Sequence, residues 1–139
     1  MRIMSLDVGS RTIGVACSDA LLMTAQGIET VRRTSLEKDF NRLKEIIAEY
    51  EDHEIVVGMQ KNMNGNKSER EEKTEEFVEK MKEVIDLPVA FWDERLSTVM
   101  AERQLIAADV SRKKRKSVID KMAAVVILQG YLDRLQHMK

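Results

Sequence analysis

Residues 2–18 read Arg2-Ile3-Met4-Ser5-Leu6-Asp7-Val8-Gly9-Ser10-Arg11-Thr12-Ile13-Gly14-Val15-Ala16-Cys17-Ser18, and this stretch decides the fold. Arg2 to Val8 is rich in β-forming residues and apolar on both sides of Ser5, the pattern of a buried strand. Gly9-Ser10-Arg11-Thr12 reads as a turn, and Ile13 to Ser18 as a second strand of small and branched residues. A connection this short favours antiparallel pairing. Thr24 to Arg33 extends the series to a third strand, with Gly27 a bend or bulge.

Beyond Arg33 the pattern alternates. Leu36, Phe40, Leu43, Ile47 and Tyr50 fall at helical spacing, with Thr34 and Glu37 as a capping box in front of them. Glu54 to Met59 reads as a buried strand and Lys61 to Asn66 as a polar loop. Ser68 with Glu71 caps a charged helix running to about Asp86, whose stripe of Phe77, Met81, Val84 and Ile85 is narrow. Pro88 opens a short strand through Trp92, and Leu96 to about Ala107 reads as a helix. Ser111 to Lys116 is a basic loop, and Ser117 to about Gln136 a long apolar helix. The order βββ-α-β-α-β-α-α predicts an α/β chain built on a five-stranded mixed sheet flanked by helices. No repeat, low-complexity tract or linker divides it, so residues 1–139 read as a single domain.

Composition sets outer bounds. A chain of 139 residues that is 43% hydrophobic buries a core without staples. Its formal net charge of -1 argues against a histone-like binder but leaves room for a local basic patch. Cys17 is the lone cysteine, which excludes an intramolecular disulfide and a CxxC metal site. With no secretory leader, the expected compartment is the cytosol. The longest apolar run, Met122 to Leu128, is too short to span a bilayer.

Three acidic positions do not fit their surroundings. Asp7 lies inside an apolar strand expected at the centre of the sheet, where a carboxylate costs several kcal/mol unless it is paired or metal-bound. Its bland reading is an Asx turn over Gly9–Thr12. Asp93-Glu94 follows Val89-Ala90-Phe91-Trp92, at a strand exit where ligands collect in α/β sheets. Capping of the next helix is the alternative there. Neighbours in a strand face opposite ways, so one of the two enters a site; Glu94 is preferred, with Asp93 as the alternate. Asp120 shares a helical face with Ala123, Ala124, Ile127 and Tyr131, and its spacing from Ser117 also fits a capping box. Carboxylates converging from separate elements suit hard cations such as Mg²⁺ or Mn²⁺. Two such ions roughly 4 Å apart activate water and stabilise the leaving oxygen of a phosphodiester.

Basic residues supply candidate phosphate contacts. Arg112-Lys113-Lys114-Arg115-Lys116 is a dense run ahead of the Asp120 helix, readable as a phosphate-binding patch or as a solvated loop. Arg11 and Arg95 each follow a candidate acid closely and suit bidentate phosphate contact or charge balance. His53 and His137 have no partner in sequence, and no base is placed for serine or cysteine nucleophilic catalysis. With one Trp, three Phe and two Tyr, a broad base-stacking platform is not expected.

Read together, Leu6-Asp7-Val8-Gly9-Ser10-Arg11-Thr12-Ile13-Gly14-Val15-Ala16, Val56-Val57-Gly58-Met59, Asn62-Met63-Asn64-Gly65, Asp93-Glu94-Arg95-Leu96-Ser97-Thr98, and Asp120-Lys121-Met122-Ala123-Ala124 through Ile127-Leu128-Gln129 resemble the YqgF family. This family, also called RuvX, comprises relatives of the RuvC junction resolvases and is associated with pre-16S rRNA processing. The match runs in order along nearly the whole chain. The resemblance implies an RNase H-like fold and a carboxylate metal site formed by Asp7, Glu94 and Asp120. It also implies a bacterial cytoplasmic nuclease acting on structured RNA (pre-rRNA, within ribosomal precursor particles) or on branched DNA. One departure is Gln60, where the family usually has a proline after Val56-Val57-Gly58-Met59, so the stiffness the family's proline gives the loop through Gly65 does not carry over by resemblance. A junction resolvase would need a two-fold dimer, and the charged Ser68–Asp86 helix is the place to hide a dimer face; monomer or weak homodimer is expected.

Two other classes compete. Leu6-Asp7-Val8-Gly9 followed by Gly14 resembles the first phosphate loop of actin-like and sugar-kinase phosphotransferases, but those need two such halves and this chain has one. A non-catalytic RNA-binding assembly factor, with the acids as caps, fits the same residues.

Overall fold

The computed structural model describes residues 2–59, 68–93 and 112–137, with backbone alone for 112–120 and 137. The described chain runs β1 (Arg2–Val8), β2 (Thr12–Ser18), β3 (Ala25–Arg32), α1 (Leu36–Tyr50), β4 (Asp52–Met59), α2 (Glu69–Val84), β5 (Val89–Asp93) and α3 (Arg112–His137). The expected helix over 96–107, the loop carrying Gln60, and Glu94 and Arg95 lie outside the described residues.

The strands form one sheet in the order β3-β2-β1-β4-β5. β1 pairs antiparallel with β2 and parallel with β4, β2 pairs antiparallel with β3, and β4 pairs parallel with β5. This is the mixed five-stranded sheet expected, and β1 is its centre. The register between β2 and β3 shifts as Val15 pairs Glu29 and Ala16 pairs Gly27. That shift is the irregularity Gly27 predicts. A Cβ at Gly27 would sit 2.7 Å from Cγ of Lys121, so the glycine admits the stem of that side chain.

Alternation along the strands builds two cores. Met4, Leu6, Val8, Ile13, Val15, Ile55 and Val57 pack with Phe40, Leu43 and Ile46 of α1 and Phe77, Val78 and Met81 of α2. Ile3, Ala16 and Val56 face the other way, onto Ala124, Ile127, Leu128 and Leu132 of α3. The small alanines let α3 come close enough for the Ser5 hydroxyl to donate to the Ala124 carbonyl at 2.7 Å. At its far end α3 holds the β2–β3 turn. Gln129 accepts from the Ala25 amide at 3.0 Å and donates to the Met23 carbonyl at 3.1 Å, and Gln136 donates to the Leu22 carbonyl at 3.3 Å.

Three local expectations are corrected. The cap of α1 is Ser35, whose extended backbone aims its oxygen at the Lys38 amide (3.2 Å); Thr34 instead gives its own amide to Asp39 at 3.1 Å. The buried stripe of α2 takes Val78 in place of Val84, which is 46% exposed, because the face turned to Phe40 lies on the other side of Phe77. The basic run Arg112–Lys116 opens α3 and is not a loop. Lysine and arginine are good helix formers, so charge density did not stop the helix from starting there. The Ser68 cap stands as expected, accepting from the Glu71 amide at 3.1 Å.

Candidate functional site

The parallel strands β1, β4 and β5 end at one edge of the sheet, at Val8, Met59 and Asp93. Asp7 sits at that edge, 7% exposed, on the same face of β1 as Ser5 and hence on the face α3 covers. Its cross-strand neighbour on β2 is Gly14, which puts no side chain beside the carboxylate. Its Oδ1 lies 3.4 Å from Nη2 of Arg70, in the first turn of α2. A carboxylate this buried, with hard oxygen donors and a cation already drawn to it, fits a divalent cation.

The turn that follows is tightly built. The Gly9 amide donates to the Thr12 carbonyl at 2.9 Å. A Cβ at Gly9 would approach that carbonyl to 3.0 Å, so the turn calls for glycine. Arg33 fastens the turn from β3's exit: its amide donates to the Arg11 carbonyl at 2.9 Å and its Nη1 to the Gly9 carbonyl at 2.7 Å. The same guanidinium lies 3.7 Å from Asp39 and over the Phe77 ring at 5.3 Å. Arg11 itself projects at the exposed tip of the turn. Between the turn and α2 opens a cleft of about 490 Å³, lined among others by Arg11, Arg33, Glu69, Arg70 and Lys73.

The other expected site residues fall as follows. Asp93 ends β5 opposite Met59. Trp92 before it packs on α3, edge-on to Tyr131, so Asp93 leaves on the face opposite to Asp7's. Glu94 and Arg95 lie outside the described residues. Asp120 lies inside α3, eight residues after its start at Arg112, so it does not cap that helix and the capping-box reading with Ser117 falls away. Gln136 at the far end of α3 reaches the β2–β3 turn, beside the edge where β1 begins. The opposite end, with the backbone of Asp120 and of Arg112–Lys116, therefore runs toward the edge where β1 ends. The side chains of those residues lie outside the described ones. Among the described residues no three His, Cys, Asp or Glu side chains gather as a metal cluster.

Arg33, Arg70 and Lys73 were missed by sequence reasoning. One signal was available for Arg70: an arginine in the first turn of a helix, among Glu69, Glu71 and Glu72, opposes the helix dipole and asks for an acidic partner elsewhere.

A family model described as "RuvX: Holliday junction resolvase" matches residues 1–134. A Desulforamulus reducens protein named "Putative pre-16S rRNA nuclease" is 66% identical over 133 residues, covering 96% of this chain and 97% of the relative. Proteins of the same name from Halothermothrix orenii (59% over 133 residues; 96% and 95% covered) and Bacillus cereus (56% over 136 residues; 96% and 99% covered) are also similar. Among solved structures, Thermus thermophilus RuvC in complex with a Holliday junction superposes with a TM-score of 0.61 at 14% identity, covering 98% of this chain and 96% of that one. The Fowlpox virus resolvase with its junction DNA gives 0.57 at 14%, covering 97% and 99%. At such identity the two structures speak for the fold, which is RNase H-like.

Proposed function

The chain belongs to the RuvX family, and on that premise we propose that it is a metal-dependent endonuclease that hydrolyses phosphodiester bonds in structured RNA, at the 5′ end of pre-16S rRNA. The observation that carries this reading is Asp7: a carboxylate 7% exposed, at the carboxyl edge of the central strand, beside a basic cleft. Asp7 also contacts the Arg70 guanidinium at the mouth of that cleft.

In this reading Asp7, Glu94 and Asp120 hold Mg²⁺ or Mn²⁺, with Asp93 as the alternate. Asp93's place on the opposite face weighs for Glu94. A divalent cation bound there supplies a Lewis acid that makes water nucleophilic at neutral pH and offsets charge on the departing oxygen. The chain's residues do the rest. Asp7 would hold the cation from the central strand of the sheet. Arg11, Arg95 and the Arg112–Lys116 turns of α3 hold the backbone of the substrate. The protein works in the cytoplasm on ribosomal precursor particles, as a monomer or weak homodimer. No described helix is long and apolar enough to cross a membrane.

Asp7→Asn tests the reading. With Mg²⁺ or Mn²⁺ present, it should lower cleavage of a pre-16S rRNA fragment by about 10²–10³-fold, the range for loss of a dominant electrostatic group. The wild-type melting temperature should rise on adding Mn²⁺, and the variant's should not. Products should carry a 5′-phosphate and a 3′-hydroxyl. Undiminished cleavage by the variant, or a 2′,3′-cyclic phosphate end, would refute the mechanism. Cleavage of a four-way DNA junction in preference to the RNA would move the substrate to branched DNA, as the family description has it.

A further inference from the structure

We propose that the cleft between the β1–β2 turn and the first turns of α2 is a phosphodiester-binding subsite, which holds the substrate strand next to the bond being cut. This rests on the nuclease reading, but the test does not need cleavage. Among the described residues four cations, Arg11, Arg33, Arg70 and Lys73, line the cleft beside Glu69, with Asp39 and Asp7 paired to Arg33 and Arg70 at its margin. The four cations outnumber these three carboxylates on a chain whose net charge is -1, so the gathering of basic groups is local. A local basic concentration on a near-neutral chain is the electrostatic footprint of phosphate.

The cleft is built before any ligand arrives. The Arg33 guanidinium is fixed by the Gly9 carbonyl, the Asp39 carboxylate and the Phe77 ring, and its side chain keeps 26% exposure. A planar donor fork held in place loses little entropy on meeting an anion. Lys73 pairs with Glu69 at 3.1 Å, but both side chains are well exposed (68% and 82%). Such a surface pair is weak and exchanges readily for a phosphate.

Three features select a strand over a small anion. The volume, about 490 Å³, suits a nucleotide-sized group and far exceeds a phosphate ion. The cations come from three elements, the turn, the exit of β3 and α2, and so track along a chain of charges. The cleft also opens beside Asp7, through Arg70, so a strand whose scissile phosphate lies at Asp7 carries a neighbouring phosphate into it. Its described lining holds no aromatic side chain and offers its cations to the phosphate backbone of a strand.

The test is fluorescence-anisotropy binding of a short single-stranded oligoribonucleotide in EDTA, over a range of KCl. Lys73→Glu should weaken binding about tenfold or more and reduce the salt slope by about 0.7 for each phosphate that is no longer neutralised. Lys44→Glu, on the exposed side of α1, makes the same change in net charge and should shift affinity less than about twofold. Arg11→Ala should act in the same direction as Lys73→Glu. Equal losses for Lys73→Glu and Lys44→Glu would overturn the subsite, because only overall charge would then be felt. A nucleoside triphosphate that outcompetes the oligonucleotide and itself depends on Lys73 would overturn the strand as occupant. Lys73-dependent binding by a protein that never cleaves keeps the subsite and removes the nuclease. Cleavage with Lys73-indifferent binding does the reverse.

Discussion

Asp52 opens β4 with a carboxylate only 5% exposed. The Cys17 thiol donates to its Oδ2 at 3.3 Å, and Oδ1 has no hydrogen-bond partner among the described residues. Burial holds its pKa up at about 6, against the thiol hydrogen bond and the charges of Arg2 and His53, which pull it down. Burial and the neighbouring Asp52 push the Cys17 thiol upward, so it stays protonated. An acid whose folded pKa stands at about 6 against an ordinary 3.8 binds more protons folded than unfolded between those values. Its contribution to stability therefore falls as pH rises through that window and is lowest above it. Asp52→Asn should flatten the decline and raise stability at neutral pH by about 1–2 kcal/mol. Urea denaturation across the window checks it, and an unchanged slope would assign the decline to other groups. Sequence pattern starts this strand at Glu54 and so passes over Asp52. Asp7 stands out because its neighbours on both sides are apolar.

Helix α3 is legible in its middle and not at its start. Ala123, Ala124 and Ile127 announce a close-packed face, and all three are fully buried. The five cations before it read as solvated loop because pattern reasoning weighs charge density, whereas each residue taken singly favours helix. The tightest test of its packing is Gly130, where a Cβ would meet three atoms of the Trp92 indole at 3.1–3.3 Å. Alanine in a helix gains up to about 1 kcal/mol over glycine. The indole is edge-on to Tyr131 and within 6.0 Å of Arg134, so it has little room to give. Overpacking costs of about 1–3 kcal/mol outweigh the gain. Gly130→Ala should thus lower stability by about 1 kcal/mol and shift the fluorescence of Trp92, the chain's only tryptophan. A stabilised variant with unchanged emission would show that α3 yields more easily than this packing implies.

Over the whole molecule, hydrophobic alternation and turn length foretell the sheet and its three antiparallel strands. The apolar run around Asp7 also marks β1 as central, as the strand order has it, but nothing in it foretells that α2's first turn comes to Asp7. Arg33, Arg70 and Lys73 join the candidate site only through topology, across separations that local patterns do not reach. The two cores on opposite faces of the sheet are unequal in supply: α1 and α2 cover one, and among the described residues α3 alone covers the other. Burying Ile127, Leu128 and Leu132 contributes about 1.5–3 kcal/mol each. That sum is comparable to the whole stability of a small domain. A chain ending at residue 111 should bind an apolar fluorescent dye strongly and aggregate; a soluble, dye-silent fragment would contradict this division of the core.

The hold of Gln129 and Gln136 on the β2–β3 turn bears on how the polypeptide matures. During synthesis α1 and α2 leave the ribosome early enough to settle on their side of the sheet, while among the described elements the other side has no cover until α3 emerges. The first strands thus wait for a helix made after α1, α2 and β5, and the interval between is when chaperones and proteases have their opening.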